Sequence, residues 1–236
     1  MRHIIRRTPR SRTGFPVWGV LLLAIVFPTA TLAQGESTCP PLPVRPVVNL
    51  YTDDGSVRFD HDVTQAQIAA LYKEDSTSTH GVLGHPVGLT RTSVKFDIRT
   101  ELQPVRLSNG SYCLWLTKVD AMLRYADTVI YVDKRFRPGS CQYETVLDHE
   151  HTHVAINRQT LHAHAPRIRL ALETAVQRVN PLVVHDLARD RNQPITLLHQ
   201  ALEPAIGAFN GARDQANMAI DTPDNYRRTQ ALCQDW

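Results

Sequence analysis

Apolar and polar residues alternate in the first half of the chain, as they do in half-buried strands. Residues 94–98 place an apolar side chain at every second position, with charged residues between them. Asn109-Gly110 has the composition of a tight turn and predicts a hairpin between strands over 105–107 and 112–119. This part of the chain therefore predicts paired antiparallel strands.

Two further regions extend the predicted sheet. Residues 47–52 and 57–62 flank the turn-forming segment 53–56 and predict a short hairpin. Residues 128–136 are rich in β-branched and aromatic residues and predict another strand, which a turn at 126–127 precedes. We expect this last strand to lie at an exposed edge, where an extended peptide can bind by strand addition.

The apolar period changes to that of helices elsewhere in the chain. Residues 64–73 predict a helix that Thr64 caps, and residues 144–179 keep helical spacing with a kink at Pro166. The polar segment 185–194 predicts a turn, after which 195–220 predicts a returning helix. The whole pattern predicts an α+β fold, with an antiparallel sheet followed by a long helical hairpin.

The first residues have the features of an export signal. Residues 1–33 combine a basic start, a short apolar core and a small-residue cleavage site at 31–33, which predicts a secretory signal peptide. The apolar run is too short for a stable membrane span. We expect a Pro-rich extended lead-in over 34–45 and a single domain over 46–236. The basic residues of the signal are Arg2, Arg6, Arg7, Arg10 and Arg12.

Charge and cysteine content agree with an exported protein. Removing the five signal arginines from the 26 basic residues leaves 21 against 23 acidic ones, a net charge of −2. The mature chain therefore shows no basic footprint for nucleic acid. Four cysteines lie in the exported part and predict two disulfides, for which we favour the pairs Cys113–Cys141 and Cys39–Cys233. These features predict a secreted or periplasmic protein.

The segment 149–153 has the pattern H-E-x-x-H and carries the chemistry of the chain. His149 and His153 are four residues apart and therefore lie on one face of a helix, where both imidazoles can bind one zinc ion. Glu150 would then stand beside the metal as the general base. Apolar residues at helical spacing surround the motif, which favours a buried functional helix over a solvated polar one.

Other polar residues of the chain have less specific interpretations. Asp148 suits a helix start, and it can alternatively accept a hydrogen bond from a ligand histidine. His61, His80 and His85 lie in or beside polar loops and are expected at the surface.

Three segments around the motif give the chain a family resemblance. Residues 129–132, 139–141 and 147–154 together resemble a bacterial family of predicted secreted zinc-dependent proteases, which is known as a domain of unknown function. The resemblance covers about 91–236 and implies a zincin-like fold. That family has a C-terminal pattern Y-D-x-x-T-x-H-G-x-x-Q. In this chain Asp221 and Gln230 match it, whereas Tyr226 stands at the histidine position.

A catalytic zinc site requires a third protein ligand. A helical hairpin that turns near residue 190 brings about 221–231 opposite the motif, which is the segment that the resemblance also indicates. We therefore expect Asp221 as the third ligand, with Asp214 or Asp224 as alternatives. Tyr226 is a candidate for a ligand or for a donor to the oxyanion of the tetrahedral intermediate, with a structural role as the alternative.

The sequence thus predicts an exported zinc-dependent metallopeptidase. His149, His153 and Asp221 would bind Zn²⁺, Glu150 would act as the base, and the substrate would be a peptide or protein. The alternative is a non-catalytic envelope protein that keeps the H-E-x-x-H helix for structure or binds zinc without turnover.

Overall fold

The computed structural model describes residues 38–42, 45–75 and 86–236. The expected signal peptide, His80 and His85 lie outside the described residues, as does half of the lead-in. In chain order the elements are strands β1 (Val47–Asp53) and β2 (Val57–Asp60), helix α1 (Gln65–Asp75), strands β3 (Gly88–Arg106) and β4 (Tyr112–Val132), helix α2 (Cys141–Val179), strand β5 (Leu182–Val184), and helices α3 (Leu187–Asp190), α4 (Gln193–Met218) and α5 (Pro223–Gln230).

Two long strands form the largest pairing in the sheet. β3 and β4 pair antiparallel along almost their whole length, and the predicted Asn109-Gly110 turn joins them, with Gly110 at φ 89°. The expected break at 126–127 is wrong, because β4 runs on through it. Asp127 instead forms a bulge at φ 55°, opposite the register shift between Arg91 and Ser93.

The sheet is mixed, so the predicted antiparallel sheet is wrong. β1 and β2 do not form a hairpin: both run parallel to β4, at 118–124 and 128–131 respectively. The turn-forming residues 53–56 carry the chain past the β4 bulge instead of reversing it. Gly55 has φ 67° there, and a Cβ would stand 2.4 Å from the carbonyl oxygen of Tyr125.

β4 is the central strand of this sheet, and the prediction that it forms an exposed edge is also wrong. β3 occupies one of its edges, while β1, β2 and the antiparallel β5 occupy successive parts of the other. The sequence signal failed because a buried central strand and an amphipathic edge strand have similar β-branched composition. Within the described residues, β1, β2, β3 and β5 each pair with β4 and with no other strand, so β3 is hydrogen-bonded to a strand along one edge.

Two long helices cover one face of the sheet. α2 has 39 residues and continues through Pro166, and α4 has 26 residues and packs against it, as the helical part of the sequence predicts. No helix in the described part of the chain is long and apolar enough to cross a membrane. Side chains from both helices and the sheet form the largest apolar cluster: Ile98, Leu116, Val119, Ala121, Leu172, Ala175, Val176, Leu198 and Leu202.

The four cysteines form two disulfides, as their even number predicts, but the favoured pairing is wrong. The bonds are Cys39–Cys113 and Cys141–Cys233. The first connects the lead-in to β4. The second joins the first residue of α2 to the C-terminal tail, because the returning helix and α5 bring the end of the chain back to the start of the motif helix.

Candidate metal centre

The motif helix is positioned by its cap and by its apolar side. The Ser140 hydroxyl accepts a hydrogen bond from the third residue of the helix at 3.2 Å and so caps α2. Val146 and Val154, on either side of the motif, pack with Ile130 and Val132 of β4. Packing of this side against the sheet leaves the histidine side of the helix facing the end of the returning chain.

His149 and His153 lie one helical turn apart, as the spacing predicts. Their Nε2 atoms are 3.3 Å apart, and their ring centroids are separated by 4.9 Å. Both side chains are largely buried, with 10% and 11% of their surface exposed. The two ring nitrogens therefore point toward a common position that is shielded from most solvent.

Asp221 lies beside both histidines, which confirms the proximity expected from the hairpin. It follows α4 and precedes α5, and its Oδ1 atom is 3.1 Å from His149 Nε2 and 3.2 Å from His153 Nε2. Within the described residues, His149, His153 and Asp221 form the one group of histidine, cysteine and acidic side chains placed to hold a metal ion.

The alternative acidic residues lie elsewhere. Asp214 is exposed and pairs with Arg213 at 2.7 Å, and Asp224 is exposed and pairs with Arg227 within α5. Asp148 is also exposed, on a different side of α2 from the two histidines. Of the candidate acidic residues, Asp221 is therefore the one that lies within hydrogen-bond distance of both histidines.

The spacing of the three donor atoms fits a small tetrahedral cation. Zinc binds histidine nitrogen and carboxylate oxygen at about 2.0–2.2 Å, so two donors of a tetrahedron are about 3.3–3.6 Å apart. The observed separations of 3.1, 3.2 and 3.3 Å are close to that range. Two imidazoles and one carboxylate are also a donor set that zinc accepts, with a fourth position left open.

The electrostatics of the cluster favour a positive charge between these atoms. Burial alone would lower the pKa of His153, but hydrogen bonding to Asp221 and the charge of Glu150 outweigh it and raise that pKa to about 9. Burial disfavours the charged form of Asp221, yet the hydrogen bonds from the two histidines hold its pKa well below the usual range. A cation at this position would replace the proton that the cluster otherwise retains.

Glu150 is buried next to the cluster, beneath the start of β3. Only 4% of its surface is exposed, and the Thr90 hydroxyl lies 2.8 Å from its Oε2 atom and 3.0 Å from its main-chain oxygen. Burial raises the pKa of this carboxyl, and the neighbouring His153 and His149 counteract part of that rise. The sequence predicted Glu150, whereas Thr90 was missed, because a threonine within a strand pattern carries no such signal.

Tyr226 contacts the predicted third ligand. Its hydroxyl donates a hydrogen bond to Asp221 Oδ1 at 2.9 Å, and its ring centroid lies 5.5 Å from that of His149. Burial and the charge of Asp221 raise the pKa of the phenol, which keeps the hydroxyl protonated and able to donate. In this structure Tyr226 therefore holds the carboxylate of Asp221.

Two asparagines that the sequence reasoning missed complete the surroundings of the histidines. Asn217 Oδ1 is 2.8 Å from His153 Nδ1, and Asn217 Nδ2 donates to Asn157 Oδ1 at 2.9 Å. Asn157 is buried and lies four residues after His153, on the same side of α2. That spacing was a readable signal, while Asn217 is too far along the chain to be found by spacing alone.

Comparisons with models of known protein families, with curated proteins and with solved structures find no match to this chain.

Proposed function

We propose that this chain is an exported zinc-dependent metallopeptidase, related to the predicted secreted zinc-dependent proteases that its motif region resembles. The observation that carries the proposal is the convergence of His149 Nε2, His153 Nε2 and Asp221 Oδ1 at separations of 3.1–3.3 Å beside the buried Glu150. Two disulfides support a compartment outside the cytoplasm, because such bonds persist in oxidising environments.

His149, His153 and Asp221 would hold the zinc ion. A bound zinc ion would supply a Lewis acid that lowers the pKa of water toward about 7. Glu150 would accept the proton from the attacking water and deliver it to the leaving amine, and a raised pKa suits a carboxylate that must both take and release a proton. Thr90 orients this carboxylate through its hydroxyl, and Tyr226 keeps the carboxylate of Asp221 in place.

The strand next to Glu150 supports a peptide as the substrate. β3 begins at Gly88, and its Thr90 contacts Glu150, so the start of this strand lies beside the candidate base. In the described residues the other edge of β3 pairs with no strand. An extended peptide bound along that edge would form main-chain hydrogen bonds and bring one of its amides to Glu150.

One observation favours the alternative of a zinc-binding protein without turnover. Glu150 is 4% exposed and lies under β3, which shields it from bulk solvent. A protein of this kind would bind one zinc ion through His149, His153 and Asp221 and would cleave no peptide. The two functions therefore differ in turnover and agree in metal binding.

The test measures zinc content and peptide cleavage on the purified mature chain. We expect one zinc ion per chain and cleavage of a peptide library detected by mass spectrometry. Glu150→Gln should keep the zinc and lose about 10²–10⁴-fold in cleavage rate, the usual contribution of a general base. Glu144→Gln is the matched control, because Glu144 lies on the first turn of the same helix and is exposed.

Two results would overturn the proposal. Protein that binds no zinc would contradict the proposed metal site. Cleavage that Glu150→Gln leaves unchanged would exclude Glu150 as the general base. One zinc ion per chain with no cleavage of any peptide would support the non-catalytic alternative instead.

A further inference from the structure

Each candidate ligand histidine must present an unprotonated ring nitrogen to a metal ion. A neutral imidazole has one N–H and one lone pair, and a metal takes the nitrogen that bears the lone pair. In His153 the nitrogen facing Asp221 and His149 is Nε2, so the proton must reside on Nδ1 for the ring to bind a cation. The group next to Nδ1 therefore influences whether the proton resides on Nδ1 and leaves Nε2 able to bind a cation.

That group is the side-chain amide of Asn217, with its oxygen 2.8 Å from His153 Nδ1. An amide can present either its oxygen or its NH₂ group, and the neighbours of the other end determine which one. Asn217 Nδ2 lies 2.9 Å from the main-chain oxygen of Arg213 and 2.9 Å from Asn157 Oδ1. A main-chain carbonyl accepts hydrogen bonds and cannot donate them, so the NH₂ group must face Arg213.

The partner asparagine is itself held in place. Asn157 is buried on α2, and its main-chain oxygen accepts a hydrogen bond from the Tyr125 hydroxyl of β4 at 2.8 Å. Asn217 lies on α4, so the contacts connect the central strand and both long helices to one ring nitrogen. If the amide of Asn217 were flipped, its oxygen would meet the main-chain oxygen of Arg213, which can only accept, and its NH₂ group would meet the imidazole.

From these contacts we infer that Asn217 is a positioning residue, which holds His153 in the Nδ1–H tautomer and leaves the Nε2 lone pair free for a metal. The role in metal binding rests on the proposed zinc site, whereas the contacts of Asn217 are observed whether or not that site binds zinc. Asn217 acts through His153 and is not one of the three candidate metal donors. Partners of this kind orient a ligand ring and raise its basicity.

The first test is the tautomer of His153 in metal-free protein. In metal-free protein Asp221 Oδ1, 3.2 Å from His153 Nε2, competes with Asn217 for the ring proton, so the measured quantity is the fraction of the Nδ1–H form. Long-range ¹H–¹⁵N NMR of the imidazoles, recorded at alkaline pH where the ring is neutral, should detect the Nδ1–H form in the wild type. Asn217→Leu, which removes the acceptor at nearly constant volume, should lower that fraction and shift the ring toward the Nε2–H form. A wild-type His153 with no detectable Nδ1–H form would overturn the inference, whether or not Asn217→Leu folds.

The second test is zinc affinity, measured by competition with a chromogenic chelator. Asn217→Leu should weaken zinc binding by about 10–100-fold, and Asn217→Asp should restore it to within a few fold, because a carboxylate also accepts from Nδ1. Asn210→Leu is the matched control. Asn210 lies two turns earlier on α4, and its carboxamide oxygen has no hydrogen-bond partner in the described residues.

The outcomes separate this inference from the proposed function. Wild-type protein that binds no zinc would overturn the proposed metallopeptidase, while the tautomer measurement would still decide the role of Asn217. Zinc binding by Asn217→Leu within about twofold of the wild type, together with an unchanged tautomer, would overturn the inference and leave the metal site standing. An equal loss of affinity in Asn210→Leu would show a general effect of α4 and would also overturn it.

Discussion

Gly88 at the start of β3 lies directly against the carboxylate of Glu150. A Cβ atom at position 88 would stand 2.5 Å from Glu150 Oε1 and 2.6 Å from Val146 Cγ1, both far inside normal contact distance. Thr90, two residues later on the same strand, donates a hydrogen bond to the other carboxylate oxygen. The strand thus fixes both oxygens of the candidate base, one by close packing and one by a hydrogen bond.

Gly88→Ala should therefore displace Glu150. We expect a loss of about 1–3 kcal/mol in the free energy of unfolding, the usual cost of overpacking. Peptide cleavage should fall much further than zinc affinity, because the three atoms nearest to a Cβ at position 88 belong to Glu150 and Val146. Chemical denaturation, zinc titration and cleavage rates measure the three effects. Gly207→Ala on α4 is the control, since a Cβ there meets nothing within 4 Å. Equal behaviour of the two variants would contradict the prediction.

Asp221→Asn should weaken zinc binding by more than a substitution of a residue that only orients a ligand, such as Asn217→Leu. The substitution keeps the shape of the side chain but removes the negative charge next to His149 and His153. We expect the zinc affinity to fall at least about 100-fold, beyond the 10–100-fold typical of groups that contact a ligand. Asp214→Asn, an exposed site on α4, should leave the affinity unchanged. Unaltered binding by Asp221→Asn would exclude this carboxylate as the third ligand.

Tyr226→Phe distinguishes two roles for the phenol hydroxyl. In the structure this hydroxyl donates to Asp221 Oδ1 at 2.9 Å, so its removal should lower zinc affinity by about 10-fold and leave kcat at saturating zinc almost unchanged. A donor to the oxyanion would give the opposite pattern, with kcat reduced about 10²–10³-fold and zinc affinity intact. Zinc titration and steady-state kinetics on the same preparation separate the two patterns.

Most residues of the metal centre could be predicted from the sequence, whereas less of the sheet could. His149, Glu150 and His153 were readable because helical spacing brings residues i and i+4 together without any knowledge of the fold. Asp221 was expected from the antiparallel return of two long helices together with the family resemblance, with Asp214 and Asp224 as alternatives. Thr90 and Asn217 were not readable, because their contacts depend on the registers of β3 and α4 against α2, which local spacing does not determine.

The prediction of the sheet topology was wrong for a related reason. Residues 53–56 have turn composition, and such composition does not say whether the chain reverses or continues past an obstacle. Here the obstacle is the bulge at Asp127 in β4, and β1 and β2 continue in line on either side of it. The pairing of Cys141 with Cys233 was missed in turn, because it depends on where α5 leaves the end of the chain.

Loss of the Cys141–Cys233 bond should affect the metal centre more than loss of the other disulfide. Cys141 is the first residue of α2, and the segment from Asp221 to Cys233 contains the third candidate ligand and Tyr226. Replacing both cysteines by serine should cost about 2–5 kcal/mol in the free energy of unfolding and should weaken zinc binding.

The control for this variant is replacement of Cys39 and Cys113 by serine. We expect a comparable loss of stability with zinc affinity retained, because that bond connects the lead-in to β4 and does not involve the tail. Thermal denaturation and chelator competition measure the two properties. Equal zinc affinities in the two variants, after allowance for the unfolded fraction, would contradict the specific role of the tail.

Tyr125 should make the protein sensitive to alkaline pH. Its side chain is 3% exposed, packs near Phe209 and donates to the main-chain oxygen of Asn157. Burial raises its pKa to about 12 from the ordinary 10, with Arg213 opposing the rise and two acidic residues adding to it. A raised pKa in the folded state means that the stabilising contribution is complete below pH 10 and is lost as pH rises toward 12.

The difference between a pKa of 10 and one of about 12 corresponds to about 2–3 kcal/mol in the free energy of unfolding. We expect Tyr125→Phe to be less stable than the wild type at neutral pH, because the oxygen of Asn157 loses its donor. The difference between the two proteins should then shrink between pH 10 and pH 12 by about that amount. Denaturation curves across this range measure it, with Tyr51→Phe as an exposed control. A difference that stays constant with pH would show that Tyr125 titrates in the folded protein as it does in the unfolded chain.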